Sequence, residues 1–261
     1  AIFDIGKTNQ KLFLFDEDYQ VVFEKSVQLP EIEDEDGFPC EDIHALSGWV
    51  INSLLELLSQ REFQIRAFNV SAHGASFVNV DEKGKPITPL YNYLKPYPES
   101  LQKKFYETHG GEEFAMQTAS PILGNLNSGM QLHWLKQERP ETFRKIKYSL
   151  HLPEYISFLV TGKAVSGITS IGCHTHLWNF SQNKYADWVM EEGIAKKLAP
   201  LFPSEQAIKT QFHNHELMCG IGLHDSSAAL IPYLKTFSNP FVLLSTGTWN
   251  VGLNPFNSLP L

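Results

Sequence analysis

Long apolar runs, paired cysteines and an excess of positive charge are all lacking in this chain of 261 residues. No apolar stretch is long enough to span a membrane. The formal net charge of -8 argues against a nucleic-acid-binding surface. The three cysteines are widely separated and have no CxxC spacing, which favours reduced thiols and a cytoplasmic location. We therefore expect neither a membrane nor a nucleic acid as partner.

Several catalytic signatures are also absent. The sequence contains no GxxxxGK[ST] phosphate loop, no HExxH zinc motif and no Gly-x-Ser-x-Gly nucleophile elbow, and the missing elbow weakens a hydrolase interpretation. Two HxH pairs are present instead, His174 with His176 and His213 with His215. Residues i and i+2 of a strand face the same way, so a zinc site built on one of these pairs is an open alternative.

Two short glycine-threonine loops lie near opposite ends of the chain, each between apolar stretches. The first spans residues 4–11 and the second spans residues 245–249. Glycine at a turn lets backbone N–H groups approach a polyanion, and hydroxyl and ammonium groups add donors. Each loop alone is equally consistent with an ordinary hairpin turn, but the distant pair favours two similar domains that hold one phosphate chain. The predicted phosphate-binding residues are Asp4, Gly6, Lys7, Thr8, Asn9, Lys11, Thr246, Gly247 and Thr248.

The candidate catalytic residue is Asp225, in a Gly-Ile-Gly-Leu-His-Asp-Ser segment at residues 220–226. It stands at the start of a predicted helix that is broken near Pro232, and the helix dipole stabilises a carboxylate there. The plain alternative is that Asp225 only caps the helix. An ionised aspartate is a weak base, but that is adequate when a hydroxyl gives up its proton late in phosphoryl transfer. Asp4 and Asp225 are also the candidate Mg²⁺ ligands, because hard cations prefer oxygen.

Candidate sugar-binding residues follow predicted strands. His73 and Gly74 come after the strand predicted at residues 65–71, where an imidazole is well placed to hydrogen-bond a polyol, although a buried edge histidine is equally consistent. A second candidate group combines aromatic rings with an amide and suits either a sugar or a hydrophobic edge. It consists of Tyr91, Asn92 and Tyr93.

The predicted elements begin with three strands, a helix and a fourth strand, an order that matches the ribonuclease H-like unit of actin-type nucleotide-binding domains. Asp42 is the expected N-cap of that helix. Strands are predicted at residues 2–5, 12–15, 21–27 and 65–71, and a hairpin at 77–80 and 86–90. Later helices are predicted from Asn127 or Ser128 to Lys136, from Pro153 to about Val160 with Gly162 as its stop, and over residues 188–198.

With these residues the chain resembles the FGGY family of carbohydrate kinases from residue 1 to about residue 254. The first and second glycine-threonine loops look like the family's two phosphate loops, and residues 71–74 are similar to the segment that touches the sugar. Residues 152–162 resemble the family's Pro-x-x-Tyr…Leu-Thr-Gly helix. Residues 222–225 resemble the segment that contains the family's catalytic aspartate. The His224–Asp225 pair is particularly like that of rhamnulose kinases, and fuculose and xylulose kinases are similar too.

The resemblance implies an α/β, ribonuclease H-like (actin-like ATPase) fold, with a mixed five-stranded sheet flanked by helices and the opening hairpin of a second similar domain. We expect an N-terminal sugar-binding domain over residues 1–234 and the start of a nucleotide-binding domain over 235–261. The implied reaction transfers the γ-phosphoryl group of ATP, with Mg²⁺, to a hydroxyl of a ketose or polyol, and His224 would contact that sugar. A non-catalytic actin-like sugar- or nucleotide-binding module is the alternative, and a homodimer is one option for assembly.

The sequence departs from the family pattern at two candidate positions. Lys7 stands where the family usually has threonine, and residues 91–95, Tyr-Asn-Tyr-Leu-Lys, stand where the family has Trp-x-Asp-x-Arg. The second departure removes an aspartate and an arginine from the expected sugar site. The resemblance therefore predicts a sugar kinase without naming its sugar.

Overall fold

The computed structural model describes residues 1–246 and 250–258. The strands are β1 Ile2–Ile5, β2 Gln10–Phe15, β3 Val21–Val27, β4 Glu31–Glu33, β5 Pro39–Glu41, β6 Ala67–Ala72, β7 Phe77–Val80, β8 Tyr148–His151, β9 Trp178–Asn179, β10 Lys184–Tyr185, β11 Ile208–Phe212, β12 His215–Cys219, β13 Leu223–His224, β14 Leu243–Ser245 and β15 Val251–Leu253. The α-helices are α1 Ile43–Ser59, α2 Glu99–His109, α3 Glu112–Gln117, α4 Ser128–Glu138, α5 Pro140–Lys145, α6 Leu152–Thr161, α7 Ile168–Ile171, α8 Asp187–Glu191 and α9 Asp225–Thr236.

The main sheet is mixed and has the strand order β11-β12-β6-β1-β2-β3, with β13 also paired to β6. β1 is antiparallel to β2 and parallel to β6. β12 pairs with the start of β6 and β13 with its end, so these two strands occupy one position in the sheet, interrupted around Gly222. The predicted mixed sheet flanked by helices is confirmed. It has seven strands rather than five because its fifth position is split and the β11–β12 hairpin adds an edge strand.

The main core lies between this sheet and the helices α1 and α6. Phe3 and Ile5 of β1 are fully buried and belong to the same hydrophobic cluster as Leu54 of α1 and Tyr155 of α6. α1 begins where predicted, because the Asp42 carboxylate accepts hydrogen bonds from two backbone N–H groups of the first turn. α4 and α6 also lie close to their predicted bounds. α6 ends at Gly162 with a left-handed φ of 66°.

The predicted hairpin of residues 77–80 and 86–90 is only half correct. Its turn is present, since the Gly84 N–H donates to the Asp81 carbonyl at 3.0 Å. The first residues of the second arm do pair with β7, since the Ile87 N–H donates to the Asn79 carbonyl at 2.9 Å, but this arm forms only a single bridge, between Val80 and Pro86, and no named strand. Prolines at positions 86 and 89 have no N–H to donate to a ladder, which explains why the arm is so short, and β8 pairs with the other edge of β7.

Two helix predictions are wrong in their bounds. The helix predicted over residues 188–198 ends at Glu191, because Gly193 adopts a left-handed φ of 71° and a 3₁₀ turn, Ile194–Lys197, follows. The helix that starts at Asp225 continues through Pro232 to Thr236 instead of breaking. Its last turn stays intact, since the Phe237 N–H still donates to the Tyr233 carbonyl at 2.9 Å.

Two small hairpins lie outside the main sheet and bear on the site. β4 and β5 pair in an antiparallel hairpin around an acidic segment, and β5 ends at Glu41. β14 and β15 form the antiparallel hairpin expected near the end of the chain. Among the described residues, no helix is both long and apolar enough to cross a membrane.

Candidate active site

One cleft of about 760 Å³ brings together most of the residues predicted to be functional. Its walls come from the end of β1, the end of β6, the junction of β13 with α9, and the β14–β15 hairpin. Leu123, Leu126 and His174 add to the lining. The predicted site residues in the cleft are Asp4, Gly6, Lys7, His73, Gly74, Tyr93, His224, Asp225 and Thr246.

The strand register explains this convergence. Ile5 and His224 both pair with Ala72, so the parallel strands β1, β6 and β13 end at the same edge of the sheet. The residues that follow these strands must therefore meet, as ligand-binding residues do at the carboxyl ends of parallel strands. Gly6, His73 and Asp225 are those residues. The sequence predicted each of them, but their proximity follows from the sheet order.

Two carboxylates face each other in the cleft. Burial raises the pKa of Asp4, the negative charge of Asp225 raises it further, and Lys11 and the Ser71 hydroxyl partly offset both effects. The Asp225 Oδ1 accepts a hydrogen bond from the Ser226 N–H at 2.6 Å, and its side chain is 45% exposed. A divalent cation would relieve the repulsion between the carboxylates, and their oxygens are the donors that Mg²⁺ prefers. The two aspartates therefore fit such an ion.

Glu41 joins two of the predicted residues into one charged group. Its Oε1 lies 2.8 Å from the Lys7 ammonium and 3.1 Å from the His73 Nε2. Burial alone would raise the pKa of Glu41, but His73 and Lys7 outweigh burial and hold it at about 2. Burial likewise works against the charged forms of His73 and Lys7, yet the carboxylate raises the pKa of both. The group therefore holds an ionised carboxylate between an ammonium group and an imidazole.

His224 is held beside the catalytic candidate. Its Nδ1 accepts a hydrogen bond from the Ser226 N–H at 3.2 Å and lies 3.3 Å from the Asp225 Oδ1. Burial lowers the pKa of His224 to about 4, so the ring is neutral at neutral pH. His224, and not Asp225, is the N-cap residue of α9. The alternative that Asp225 only caps the helix therefore does not describe this site.

The structure does not bring Tyr91 and Asn92 to the cleft, which corrects that part of the predicted sugar site. The Tyr91 hydroxyl donates to Glu35, and the Asn92 amide donates to the Pro39 carbonyl at 3.0 Å. Both residues thus hold the β4–β5 region against the rest of the domain. Of the predicted cluster, Tyr93 alone lines the cleft.

Part of the predicted phosphate-binding set also lies away from the cleft. The side chains of Thr8 and Asn9 are exposed on the turn, and the Gly6 N–H donates to the Asn9 carbonyl at 3.0 Å, which closes this turn. Lys11 stands opposite Asp4 in the β1–β2 register. The Lys7 ammonium is bound by Glu41 rather than free for an anion. Gly247 and Thr248 lie outside the residues that the structure describes.

The two HxH pairs do not form the metal site considered from the sequence. His176 is buried between the Tyr106 hydroxyl, 2.8 Å from its Nε2, and the Thr118 hydroxyl, 3.1 Å from its Nδ1. Over residues 1–246 and 250–258, the one group of three metal-ligating side chains with close donor atoms instead includes His174 and His224 with Cys173. Glu41 was also missed, because within an acidic segment it has no local signal that separates it from solvated carboxylates.

Comparison with known proteins identifies relatives of this chain. The model of the FGGY family of carbohydrate kinases, N-terminal domain, matches residues 1–231. A rhamnulokinase from Halalkalibacterium halodurans is 24% identical over 99% of this chain and 56% of its own length. A gluconokinase from Bacillus subtilis is 29% identical over 59% of this chain and 30% of its own length. The chain spans about half the length of the rhamnulokinase relatives it matches.

Solved structures show the same fold. A carbohydrate kinase from Novosphingobium aromaticivorans superposes with a TM-score of 0.84 at 26% identity, over 97% of this chain and 56% of its own. A xylulose kinase from Rhodospirillum rubrum gives a TM-score of 0.79 at 19% identity, over 93% and 52% of the two chains. These similarities confirm the predicted ribonuclease H-like (actin-like ATPase) fold.

Proposed function

Because this chain belongs to the FGGY family of carbohydrate kinases, we propose that it binds a ketose or related polyol and takes part in transferring to it the γ-phosphoryl group of ATP. The observation that carries the proposal is the convergence of Asp225, Asp4 and Thr246 on the cleft that also contains His73. The sequence predicted these residues from three separate segments. An arrangement of acid, phosphate loop and polar sugar contacts in one cleft is what this reaction requires.

Asp225 is the proposed general base. It stands where α9 begins, and its Oδ1 is held by the Ser226 N–H while the side chain stays partly exposed to the cleft. An ionised carboxylate in this position orients the sugar hydroxyl and accepts its proton as the bond to phosphorus forms. His224 is neutral, with its Nδ1 3.3 Å from the Asp225 Oδ1, and it offers the sugar a further polar contact.

Asp4 and the turn after β1 form the proposed phosphate end of the cleft. Mg²⁺, when bound, neutralises phosphate charge, and Asp4 and Asp225 are the residues that would hold it. Thr246 belongs to the second phosphate loop and lines the cleft from the β14–β15 hairpin. Because the Gly6 N–H already closes its own turn, the phosphate donors proposed for the first loop are the exposed groups of Thr8 and Asn9, which lie outside the cleft lining and would contact only phosphate that extends beyond it.

The sugar end is proposed to be the Glu41 group with Tyr93. A carboxylate, an imidazole and an ammonium group offer acceptors and donors for neighbouring hydroxyls, and an aromatic ring packs on the apolar face of a sugar. The Tyr93 ring lies 6.0 Å from the Lys7 ammonium and 6.2 Å from the His73 ring. Lys7 is therefore assigned to the sugar rather than to phosphate.

The remaining proposals concern the domain organisation, the cellular location and the assembly of the protein. Residues 1–234 would form the sugar-binding domain and residues 235–261 would begin the nucleotide-binding domain, which is the interpretation that best explains why β14 and β15 stand apart from the main sheet. A cytoplasmic location and a homodimer stay predictions. The cytoplasmic proposal rests on the three cysteines, which are free thiols in this structure.

The test is a coupled ADP-release assay with the full-length protein that contains this chain. Its panel covers ketopentoses, 6-deoxyketohexoses, glycerol and gluconate, each with and without Mg²⁺. We expect sugar-dependent ADP release with at least one ketose or polyol. Asp225→Asn should lower kcat by at least about a hundredfold with little change in sugar affinity, whereas Asp18→Asn, at an exposed turn, should keep wild-type kcat.

Two results would contradict the proposal. Near-normal turnover of Asp225→Asn would remove the general base from the mechanism. Sugar binding without any sugar-dependent ADP release across the panel would favour the non-catalytic binding module instead.

A further inference from the structure

A cluster of soft metal-ligating side chains lies beside the proposed catalytic carboxylate, and two of its members, Cys173 and His174, have no part in the proposed reaction. The Cys173 sulfur and one nitrogen each of His174 and His224 all lie within 4.8 Å of one another. His174 and His224 line the cleft, and their rings stand nearly perpendicular, at 87° with centroids 6.2 Å apart. The three residues come from the segment after α7 and from the end of β13, which the fold brings together.

The hydrogen bonds leave the His174 Nε2 lone pair free and engage the His224 Nδ1 lone pair only through a long bond of 3.2 Å. The Nδ1 of His174 lies 3.1 Å from the Leu126 carbonyl, which can only accept, so this nitrogen carries the proton and Nε2 does not. The Nδ1 of His224 accepts from the Ser226 N–H, so this nitrogen is the unprotonated one. A metal ion bound at the His224 Nδ1 would replace the 3.2 Å hydrogen bond from the Ser226 N–H, and that N–H would keep its 2.6 Å bond to the Asp225 carboxylate.

We propose that Cys173, His174 and His224 form a three-ligand zinc site on the wall of the cleft, beside the Asp225 carboxylate. One thiolate and two imidazoles select zinc over magnesium, because borderline-soft cations prefer sulfur and nitrogen while Mg²⁺ prefers oxygen. Tetrahedral zinc needs its donor atoms about 3.3–3.7 Å apart. Zinc binding would draw the three donor atoms from their spacing of up to 4.8 Å towards that range, and the Cys173 thiol would release its proton to solvent.

Asp225 gives this site a consequence for activity. Its Oδ1 lies 3.3 Å from the His224 Nδ1, so an ion bound to that nitrogen contacts the carboxylate proposed as general base. A carboxylate bound to zinc no longer accepts a proton from a sugar hydroxyl. Zinc is therefore an inhibitor of the reaction; this second half of the proposal rests on the proposed function, whereas the site itself does not.

Cobalt absorption spectroscopy tests the site without any enzyme assay. Co²⁺ replaces zinc in such sites, and a cobalt–thiolate bond gives a charge-transfer band in the near ultraviolet. We expect one Co²⁺ per chain with this band, displaced by Zn²⁺. Cys173→Ala should abolish the band and weaken Zn²⁺ binding by at least about a hundredfold, since loss of an outer partner alone costs about 10–100-fold. Cys40→Ala, which removes a buried thiol elsewhere, should leave both unchanged.

Histidine variants provide a second, independent comparison. His174→Gln should weaken Zn²⁺ binding as Cys173→Ala does, while His213→Gln, in the β11–β12 turn, should not. Circular dichroism of each variant establishes that it is folded. Cobalt binding without the thiolate band, or equal zinc affinity of wild type and Cys173→Ala, would overturn the site.

The proposed inhibition of the reaction by zinc is tested in the ADP-release assay at saturating Mg²⁺. Zinc should inhibit the wild type, and Cys173→Ala should raise the inhibitory zinc concentration at least about tenfold without changing kcat in the absence of zinc. A wild type that binds cobalt through the thiolate but is not inhibited by zinc would overturn this half and support the site alone. Absence of any kinase activity would refute the proposed function while the cobalt result still decides the site.

Discussion

Gly74 lies so close to His224 that a Cβ atom on the glycine would be 2.1 Å from the imidazole Nε2 and 2.3 Å from its Cδ2. Real Cβ contacts are never this short, so the ring occupies space that only glycine leaves open. The other side of the same ring holds the Ser226 N–H and approaches Asp225. The position of the proposed base thus depends on the absence of a side chain one strand away.

Gly74→Ala should therefore displace the His224 ring and impair catalysis. A methyl group at position 74 would overlap the present position of the ring, so the ring must shift, and we expect kcat/KM to fall by at least about tenfold, the effect of a misplaced catalytic group. Gly48→Ala in α1 is the matched control, since its Cβ would meet nothing within 4 Å. The control should keep activity, with a small gain in stability of about 0.5–1 kcal/mol. Equal activity of both variants would show that the contact is unimportant.

The Glu41 group predicts how stability responds to acid. The pKa of Glu41 falls from its ordinary 4.5 to about 2 in the folded chain, so its stabilising effect is complete above pH 4.5 and is lost as the pH decreases towards 2. The loss should be on the order of 3 kcal/mol. Glu41→Gln should flatten this part of the pH dependence of the free energy of unfolding, measured by urea denaturation.

Glu31→Gln is the matched control for that experiment. Glu31 also approaches Lys7, at 3.6 Å, but its side chain is 52% exposed. An exposed pair at this distance contributes little, so the control should follow the wild type. If both variants lose the same acid sensitivity, the assignment to Glu41 is wrong.

The buried carboxyl of Glu154 predicts the opposite dependence of stability on pH. Its carboxyl is fully buried in α6 and accepts hydrogen bonds from the Gly167 N–H at 3.1 Å and the Ser170 hydroxyl at 3.0 Å. Burial raises its pKa from 4.5 to about 8, so between these values the folded chain holds a proton that the unfolded chain has released. Stability should therefore fall as the pH rises through this window. Glu154→Gln should remove that fall, whereas exposed Glu24→Gln should preserve it.

Lys7 distinguishes the two ends of the cleft. Its ammonium is bound to Glu41 at 2.8 Å, beside His73. Lys7→Met should therefore raise KM for the sugar by about tenfold, the value of one charge-assisted hydrogen bond, with little change in KM for ATP. Lys11→Met, which removes a lysine from the strand opposite Asp4, is the comparison. A Lys7→Met variant that loses ATP affinity instead would restore its assignment to phosphate.

Local signals predicted the elements that positioned the site. Asp42 and Gly162 mark helix ends through caps that act within a few residues, and the apolar period of α1 is visible directly in the sequence. His73 and Asp225 were found because each follows a strand or precedes a helix. Such features depend on residues within one short segment, so they can be predicted without knowing which distant segments pack against it.

What the sequence did not predict depends on contacts between distant segments. β8 pairs with the second edge of β7 although it lies far along the chain. The cluster of Cys173 with His224 exists only because α7 packs near the end of β13. Tyr91 has the composition of a sugar contact, but its hydroxyl is taken by Glu35. Composition alone does not distinguish a side chain that meets a ligand from one that meets its own protein.

Pro232, which interrupts neither the course nor the end of α9, has one effect on the cleft. A proline has no N–H, so Pro232 does not donate the usual helical hydrogen bond to the carbonyl oxygen of Ala228, one turn earlier. Ala228 and Ala229 line this side of the cleft. The Ala228 carbonyl therefore lacks one helical donor next to an aliphatic surface, and a hydroxyl group or an ordered water is an alternative donor to it.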